Sequence, residues 1–166
     1  ESVDTSMGLT PLGGIPMVTR SGDLDPSVVT FLMKKENMTA DEVENVLNKK
    51  SGVQGISGLA PDFREIESAS YGENERAGIA IEKFKYEIAS YIAKYAVAMN
   101  GVDYIVFTGG VGENQINIRK GICEKANNMR GEEKEISKPT SKIKVYVVPT
   151  NEELMIAKET QRLVNN

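Results

Sequence analysis

There is no histidine among the 166 residues of this chain, and Cys123 is its only cysteine. A histidine general base or histidine metal ligand is therefore excluded within these residues. A lone cysteine forms no internal disulfide, which fits a reducing cytoplasm; Cys123 reads as a small buried apolar residue. Basic excess is missing as well. The net charge is −4 and the pI about 5.1, which argues against nonspecific nucleic-acid binding, since that depends on a basic surface. No apolar run approaches the roughly 20 residues of a transmembrane helix. The N-terminus has no basic segment followed by an apolar one and does not read as a signal peptide. It does not begin with methionine, so a processed or subcloned fragment is expected.

What remains is ordinary for a globular protein: 40 % hydrophobic and 27 % charged residues, in a length that suits one domain with its own core. Residues 1–24 are glycine-rich and irregular. Asp25-Pro26 is a helix start, with aspartate capping and proline at the first helical position, and a short helix over 26–35 is expected. Thr39 with Glu42 has capping-box spacing, opening a helix over 40–50 that ends near Gly52. Residues 51–61, with three glycines, are expected to be a loop, and Asp62-Phe-Arg-Glu65 to open a short helix. Ala77, Ile81, Phe84, Ile88, Ile92, Tyr95 and Met99 recur at three or four residues and predict one long helix over 73–99, ended by Asn100-Gly101.

Two strands follow from the apolar runs 103–107 and 142–148. A helix is expected from near Asn114 and a last one over 151–164; Arg130–Glu135 reads as a solvated loop. The order is an α/β pattern with adjacent parallel strands at its end. Tyr71, Tyr86, Tyr91 and Tyr95 read as packing residues on or near the long helix. Met7, Met17 and Met33 read as core or loop packing.

The chemistry concentrates in three places. Turn-forming residues Gly8, Pro11, Gly13, Gly14 and Pro16 lead to Arg20, which Ser-Gly-Asp follows directly. A guanidinium offers a rigid fork of donors suited to phosphate or carboxylate. Arg20 either faces such an anion or pairs with Asp23 or Asp25 to hold the loop. Phe107-Thr-Gly-Gly-Val-Gly-Glu-Asn114 lies where a strand hands over to a helix, the place where ligands bind in open α/β sheets. Glycines there let a nucleotide approach the backbone; the alternative is a tight structural turn. It is neither a P-loop nor a complete dinucleotide fingerprint. Glu152 and Glu153 follow the second strand, where a carboxylate can hold Mg²⁺. Thr150 and Glu153 also have capping-box spacing, which leaves Glu152 as the better metal candidate. Asp62 and Glu65 suit a capping arrangement, with Arg64 on the surface.

Three blocks resemble, in order, signature blocks of the acetate kinases. The first is Asp4-Thr-Ser-Met-Gly with Thr10-Pro-Leu and Thr19-Arg-Ser-Gly-Asp-Leu-Asp-Pro. The others are Phe107 to Asn114 and Pro149-Thr-Asn-Glu-Glu-Leu154. The resemblance covers essentially the whole chain, which starts where the C-terminal half of such an enzyme would start. It implies an α/β, actin-like ATPase (ribonuclease H-like) fold, residues 1–166 forming a single C-terminal nucleotide-binding domain. It implies reversible transfer of the γ-phosphoryl group of ATP to acetate, giving acetyl phosphate and ADP, with Mg²⁺ on the phosphates.

The roles that the resemblance implies are as follows. Arg20 stabilises the transferring group. Gly110, Val111, Gly112, Glu113 and Asn114 contact the adenosine side of ATP, Val111 standing where isoleucine is common. Asp62, Phe63 and Arg64 border the nucleotide, and Glu152 positions the metal. A cytoplasmic homodimer is implied, with no membrane or nucleic-acid partner, and the fragment alone is expected to be inactive. A propionate or butyrate kinase, and a non-catalytic dimerisation domain, are the competing readings.

Overall fold

The structure, a computed structural model, describes residues 2–125, 143–150 and 152–164. The elements along the chain are α1 (Ser27–Lys35), α2 (Ala40–Lys49), α3 (Gly52–Ser57), α4 (Phe63–Ser70) and α5 (Glu75–Ala98). Then come β1 (Tyr104–Phe107), α6 (Gly109–Asn114), α7 (Ile116–Lys125), β2 (Lys144–Val147) and α8 (Glu152–Val164). The described residues divide into two compact units, 2–102 with 121–125, and 103–120 with those from 143 onward.

In the first unit, α3 and α4 pack against α5. Ala77, Ala80, Ile81 and Phe84 form the buried stripe of α5, at the spacing that puts side chains on one helical face. Phe63 meets Phe84 edge-on with ring centroids 4.9 Å apart, and Ile66, Val53, Val43 and Leu47 complete this core. The stripe read from the sequence stays buried through Phe84. Ile88, Ile92 and Tyr95 are only half-buried, and Met99 is exposed, because the contacts of α5 with Phe63 and with α3 are made along its first half. Asn74 caps α5, its side chain accepting from the Ala77 amide. Asn100 and Gly101 end it in left-handed conformations. The Thr39–Glu42 capping box forms as its spacing predicts.

Two expectations are corrected. Residues 52–57 are the helix α3, not a loop. Its two glycines, Gly52 and Gly55, oppose helix formation by about 1 kcal/mol each, but both ends of α3 are capped from elsewhere. The amides of Ser51, Val53 and Gln54 donate to the carbonyls of Thr19, Met17 and Val18 at 2.8–2.9 Å. At the other end, Arg76 donates to the carbonyls of Ile56 and Gly55 at 2.8 and 3.1 Å. Second, helical structure after β1 begins at Gly109 rather than near Asn114, as the short α6 followed by α7. α1 begins at Ser27, so Pro26 takes the cap position rather than the first helical one, and the Asp25 carboxylate just before it accepts from the Ser27 amide at 2.8 Å. Residues 130–135 lie outside the described residues.

The second unit holds a parallel pair, β1 with β2, in the register Ile105↔Val145 and Phe107↔Val147. Those four side chains share one face, on which Ile105, Phe107 and Val145 are buried. Tyr104 and Val106 are exposed on the other face, where the Tyr104 and Tyr146 rings lie 5.8 Å apart. The ladder runs on past both ends, Lys144 donating to the Asp103 carbonyl and Val148 to that of Phe107.

The docking of residues 17–20 on α3 requires a glycine at 52. Its φ is +61°, and a Cβ there would stand 2.2 Å from the Met17 carbonyl oxygen and 2.6 Å from that of Arg20. Gly78, inside α5, has nothing within 4 Å of the corresponding position. Gly52→Ala is therefore expected to destabilise the chain by roughly 2–4 kcal/mol, and Gly78→Ala to stabilise it by about 0.5–1 kcal/mol. Urea unfolding of the two variants checks both signs; equal effects would contradict the docking.

Candidate active site

Arg20 sits at the end of the segment that caps α3. Its carbonyl accepts from the Met17 amide at 3.0 Å, closing a tight turn, and Ser21 donates to the Leu47 carbonyl at 2.9 Å. The Thr19 hydroxyl donates to the Asn48 carbonyl at 2.9 Å. The backbone of the arginine is thus held from α2 and α3, while its side chain makes one hydrogen bond, to the Pro11 carbonyl at 3.1 Å. Among the described residues it has no carboxylate partner. Asp25 is occupied by the Ser27 amide. Asp23 accepts from the Gly14 amide at 2.8 Å through one oxygen and from the Tyr91 hydroxyl through the other. The ion pair weighed as an alternative role for Arg20 does not form, which leaves a half-buried guanidinium with most of its N–H donors open to an anion.

Tyr91 and Asp23 tie the arginine segment to α5. The Tyr91 hydrogen bond, followed by that from Gly14, holds the Asp23 carboxyl below its usual range. The same bond to Asp23, with burial second, pushes the Tyr91 phenol up to about 12. Lys94 lies 5.4 Å from the Tyr91 ring centroid and pairs with Asp4 at 3.1 Å.

At the start of α4, Asp62 accepts from the Arg64 amide at 2.9 Å and from the Arg64 guanidinium at 2.9 and 3.3 Å. That bond lowers the Asp62 carboxyl and raises the Arg64 guanidinium. Phe63 is a core residue; Arg64 projects into solvent, its side chain 81 % exposed. The three neighbouring candidates therefore face different environments, with Asp62 and Arg64 at the surface.

In the second unit, β1 passes through Thr108 into Gly109, whose φ is +73°. At Gly110 an added Cβ would meet nothing within 4 Å, while at Gly112 it would touch the Phe107 backbone at 3.4 Å. The turn is thus open beside Gly110 and packed beside Gly112. With six residues α6 is too short to lend a dipole to an anion, and it is closed by side chains instead. Asn114 donates to the Gly110 carbonyl at 2.8 Å. The buried Arg119 donates to the carbonyls of Gly112 and Glu113, both at 2.8 Å. The Glu113 carboxylate accepts from the Gly109 amide at 3.0 Å and from both the amide and the hydroxyl of Thr150 at 2.9 Å. These bonds, the Thr150 amide first, hold the Glu113 carboxyl below its usual range.

Glu152 opens α8 and Glu153 follows, exposed. Because the Thr150 hydroxyl donates to Glu113, the capping argument that separated Glu153 from Glu152 loses its force. Sequence reasoning missed the Glu113–Thr150 link, the closure of α6 by Arg119 and the capping of α3 by Arg76. A four-residue spacing from Gly109 to Glu113 hinted at the first; nothing local signals the other two.

The Tyr91 bond has a measurable signature. One tyrosine is expected to ionise near pH 12, a phase that Tyr91→Phe removes, as followed by ultraviolet titration. A folded-state value above the ordinary 10 means that the unfolded chain releases this proton first. Stability is therefore lost as the pH rises from about 10 through 12.

The model of the acetokinase family matches residues 1–158. The acetate kinase of Halothermothrix orenii is 52 % identical over an alignment that takes in 100 % of this chain and 44 % of that protein. The crystal structure of Porphyromonas gingivalis acetate kinase superposes with a TM-score of 0.85 at 48 % identity, covering 96 % of this chain and 43 % of that one. A propionate kinase from Francisella tularensis superposes with a TM-score of 0.89 at 43 % identity, over 96 % of this chain and 43 % of its own. The chain thus spans less than half the length of the relatives it matches. Its α/β elements are part of the actin-like ATPase fold of these kinases, and the chain belongs to the acetokinase family.

Proposed function

We propose that residues 1–166 form the C-terminal nucleotide-binding domain of an acetate kinase, which reversibly transfers the γ-phosphoryl group of ATP to acetate, giving acetyl phosphate and ADP. The observation that carries this reading is Arg20: its backbone is held from two helices, its neighbouring carboxylates are engaged elsewhere, and its guanidinium keeps open donors. A positioned cation of this kind stabilises charge on the oxygens of a phosphoryl group in transfer.

The other candidates fit a nucleotide in distinct ways. A Cβ at Gly110 would meet nothing within 4 Å, so its backbone is open to approach; with Val111, Gly112 and Asn114 it is assigned to the adenosine side of ATP. Asp62 and Arg64 at the head of α4 border the nucleotide, with Phe63 anchoring them in the core. Glu152 or Glu153 takes Mg²⁺, which needs only one or two carboxylates, the rest of its shell coming from water and phosphate oxygens. Among the described residues there is no cluster of three or more metal-binding side chains, which suits such a shared site. When bound, Mg²⁺ neutralises phosphate charge; the part of this chain is to hold it and to present Arg20.

The likeness to a propionate kinase structure favours propionate as the second substrate reading. Exposed Val28 and Phe31 on α1, and Ile79 and Tyr86 on α5, support a homodimer. The net charge of −4 favours a reading without a nucleic-acid partner; among the described residues no helix is long and apolar enough to cross a membrane.

The test is a chimera in which this chain replaces the matching segment of the Halothermothrix orenii enzyme. Coupled assays with ATP and acetate are expected to give turnover within about tenfold of the parent, and Arg20→Ala to reduce kcat roughly 10²–10³-fold. Gly110→Val should abolish ATP binding without lowering the unfolding midpoint, and the 166-residue chain alone should be inactive. A folded but inactive chimera, or full activity in Arg20→Ala, would sink the proposal.

A further inference from the structure

We propose that Glu113 is a positioning residue: its carboxylate locks the exit of β2 to the turn after β1, and so fixes where the first turn of α8 begins. The inference rests on the acetate kinase reading for what α8 presents, and on the geometry alone for the lock itself.

Three donors converge on one carboxylate oxygen of Glu113, the Gly109 amide at 3.0 Å and the Thr150 amide and hydroxyl at 2.9 Å each. The two connections that it joins leave neighbouring strands at the same end, since Val148 donates to the Phe107 carbonyl and extends the parallel ladder to that point. Ligands of open α/β sheets gather at this end of the strands. The position of Glu113 is itself held from its own backbone, because Arg119, buried and donating to the Gly112 and Glu113 carbonyls at 2.8 Å, closes the end of α6. The chain of constraint therefore runs from Arg119 through the Glu113 backbone to its carboxylate and then to Thr150, at the exit of β2.

The carboxylate oxygen that accepts these three hydrogen bonds is committed to the protein, and this engagement sets Glu113 apart from Gly110, Val111, Gly112 and Asn114 around it. Its work is to keep the metal-holding carboxylates at a constant distance from the nucleotide turn. Thr150 is the matching half of the lock. It engages the carboxylate twice, so that the hydroxyl sets direction and the amide sets register.

The experiment has a substrate-free arm and a kinetic arm. In the full chain without ligands, Glu113→Ala is expected to speed hydrogen exchange of the Thr150 amide at least tenfold, with Glu113→Gln, which keeps an acceptor oxygen, recovering part of the protection. In the chimera, Glu113→Ala and Thr150→Val should each raise the Mg²⁺ concentration for half-maximal rate about tenfold. KM for acetate, and KM for ATP at saturating Mg²⁺, should stay within twofold. The double variant should be no worse than the weaker single one, and Thr150→Ser should restore the Mg²⁺ response. If Glu113→Ala proves unfolded, Glu113→Gln and Thr150→Val carry the same comparison. A tenfold rise in KM for ATP at saturating Mg²⁺ on changing Glu113, with Thr150→Val silent, would make Glu113 a nucleotide contact and overturn the inference. Unchanged Thr150 exchange in Glu113→Ala would overturn it as well. An inactive unsubstituted chimera counts against the kinase reading alone, and the exchange arm then decides whether the lock exists.

Discussion

Three backbone carbonyls, those of Met17, Val18 and Thr19, take the place of a side-chain cap at the start of α3, and the placement of Arg20 depends on that substitution. The exchange serves both partners. A six-residue helix with glycine at its first and fourth positions has little stability of its own, and an irregular segment crossing a protein has carbonyls that must find donors. Each satisfies the other. The contact is close enough that only glycine fits at position 52, so the arginine is held by main chain, whose geometry varies less than that of a side-chain tether. Tyr91 adds a second hold through Asp23.

The same arrangement explains which parts of the molecule could be read from the residues. The Thr39–Glu42 capping box, the stripe Ala77–Ile81–Phe84 and the two apolar strands carry their signals within a few residues, and each formed where its pattern put it. Arg20 stood out because a charged fork among turn residues has few purposes. Whether it pairs with Asp23 or Asp25 was not legible, since the answer lies in a tyrosine on a distant helix. α3 and α6 were invisible for a related reason. Glycine-rich stretches read as loops by propensity; the ends of α3 are closed by groups remote in sequence, Arg76 and the 17–19 carbonyls, and those of α6 by its own Glu113 and by Arg119 on the next helix.

The two units use opposite means to the same end. The first holds a cation with main-chain contacts and leaves its charge open. The second surrounds a glycine-rich turn with charged side chains, Glu113 and Arg119, which hydrogen-bond to backbone and, for Glu113, to the Thr150 hydroxyl as well. Sites for phosphoryl transfer depend on positioning and electrostatics more than on covalent chemistry. In the first unit the glycines permit close packing of backbone on backbone, as at Gly52, whereas in the second the turn is left open beside Gly110.

The parallel pairing of β1 with β2 also orders the assembly of the chain in time. Parallel neighbours cannot be joined by a tight hairpin, and bringing Lys144 beside Tyr104 closes a loop that contains α6 and α7, at an entropic cost of about 3 kcal/mol. The helices α3, α4 and α5 meet through contacts much nearer in sequence, and such contacts form fastest. The strand exits that carry the glycine turn and the start of α8 meet only when that loop closes, and Glu113 can reach Thr150 only then.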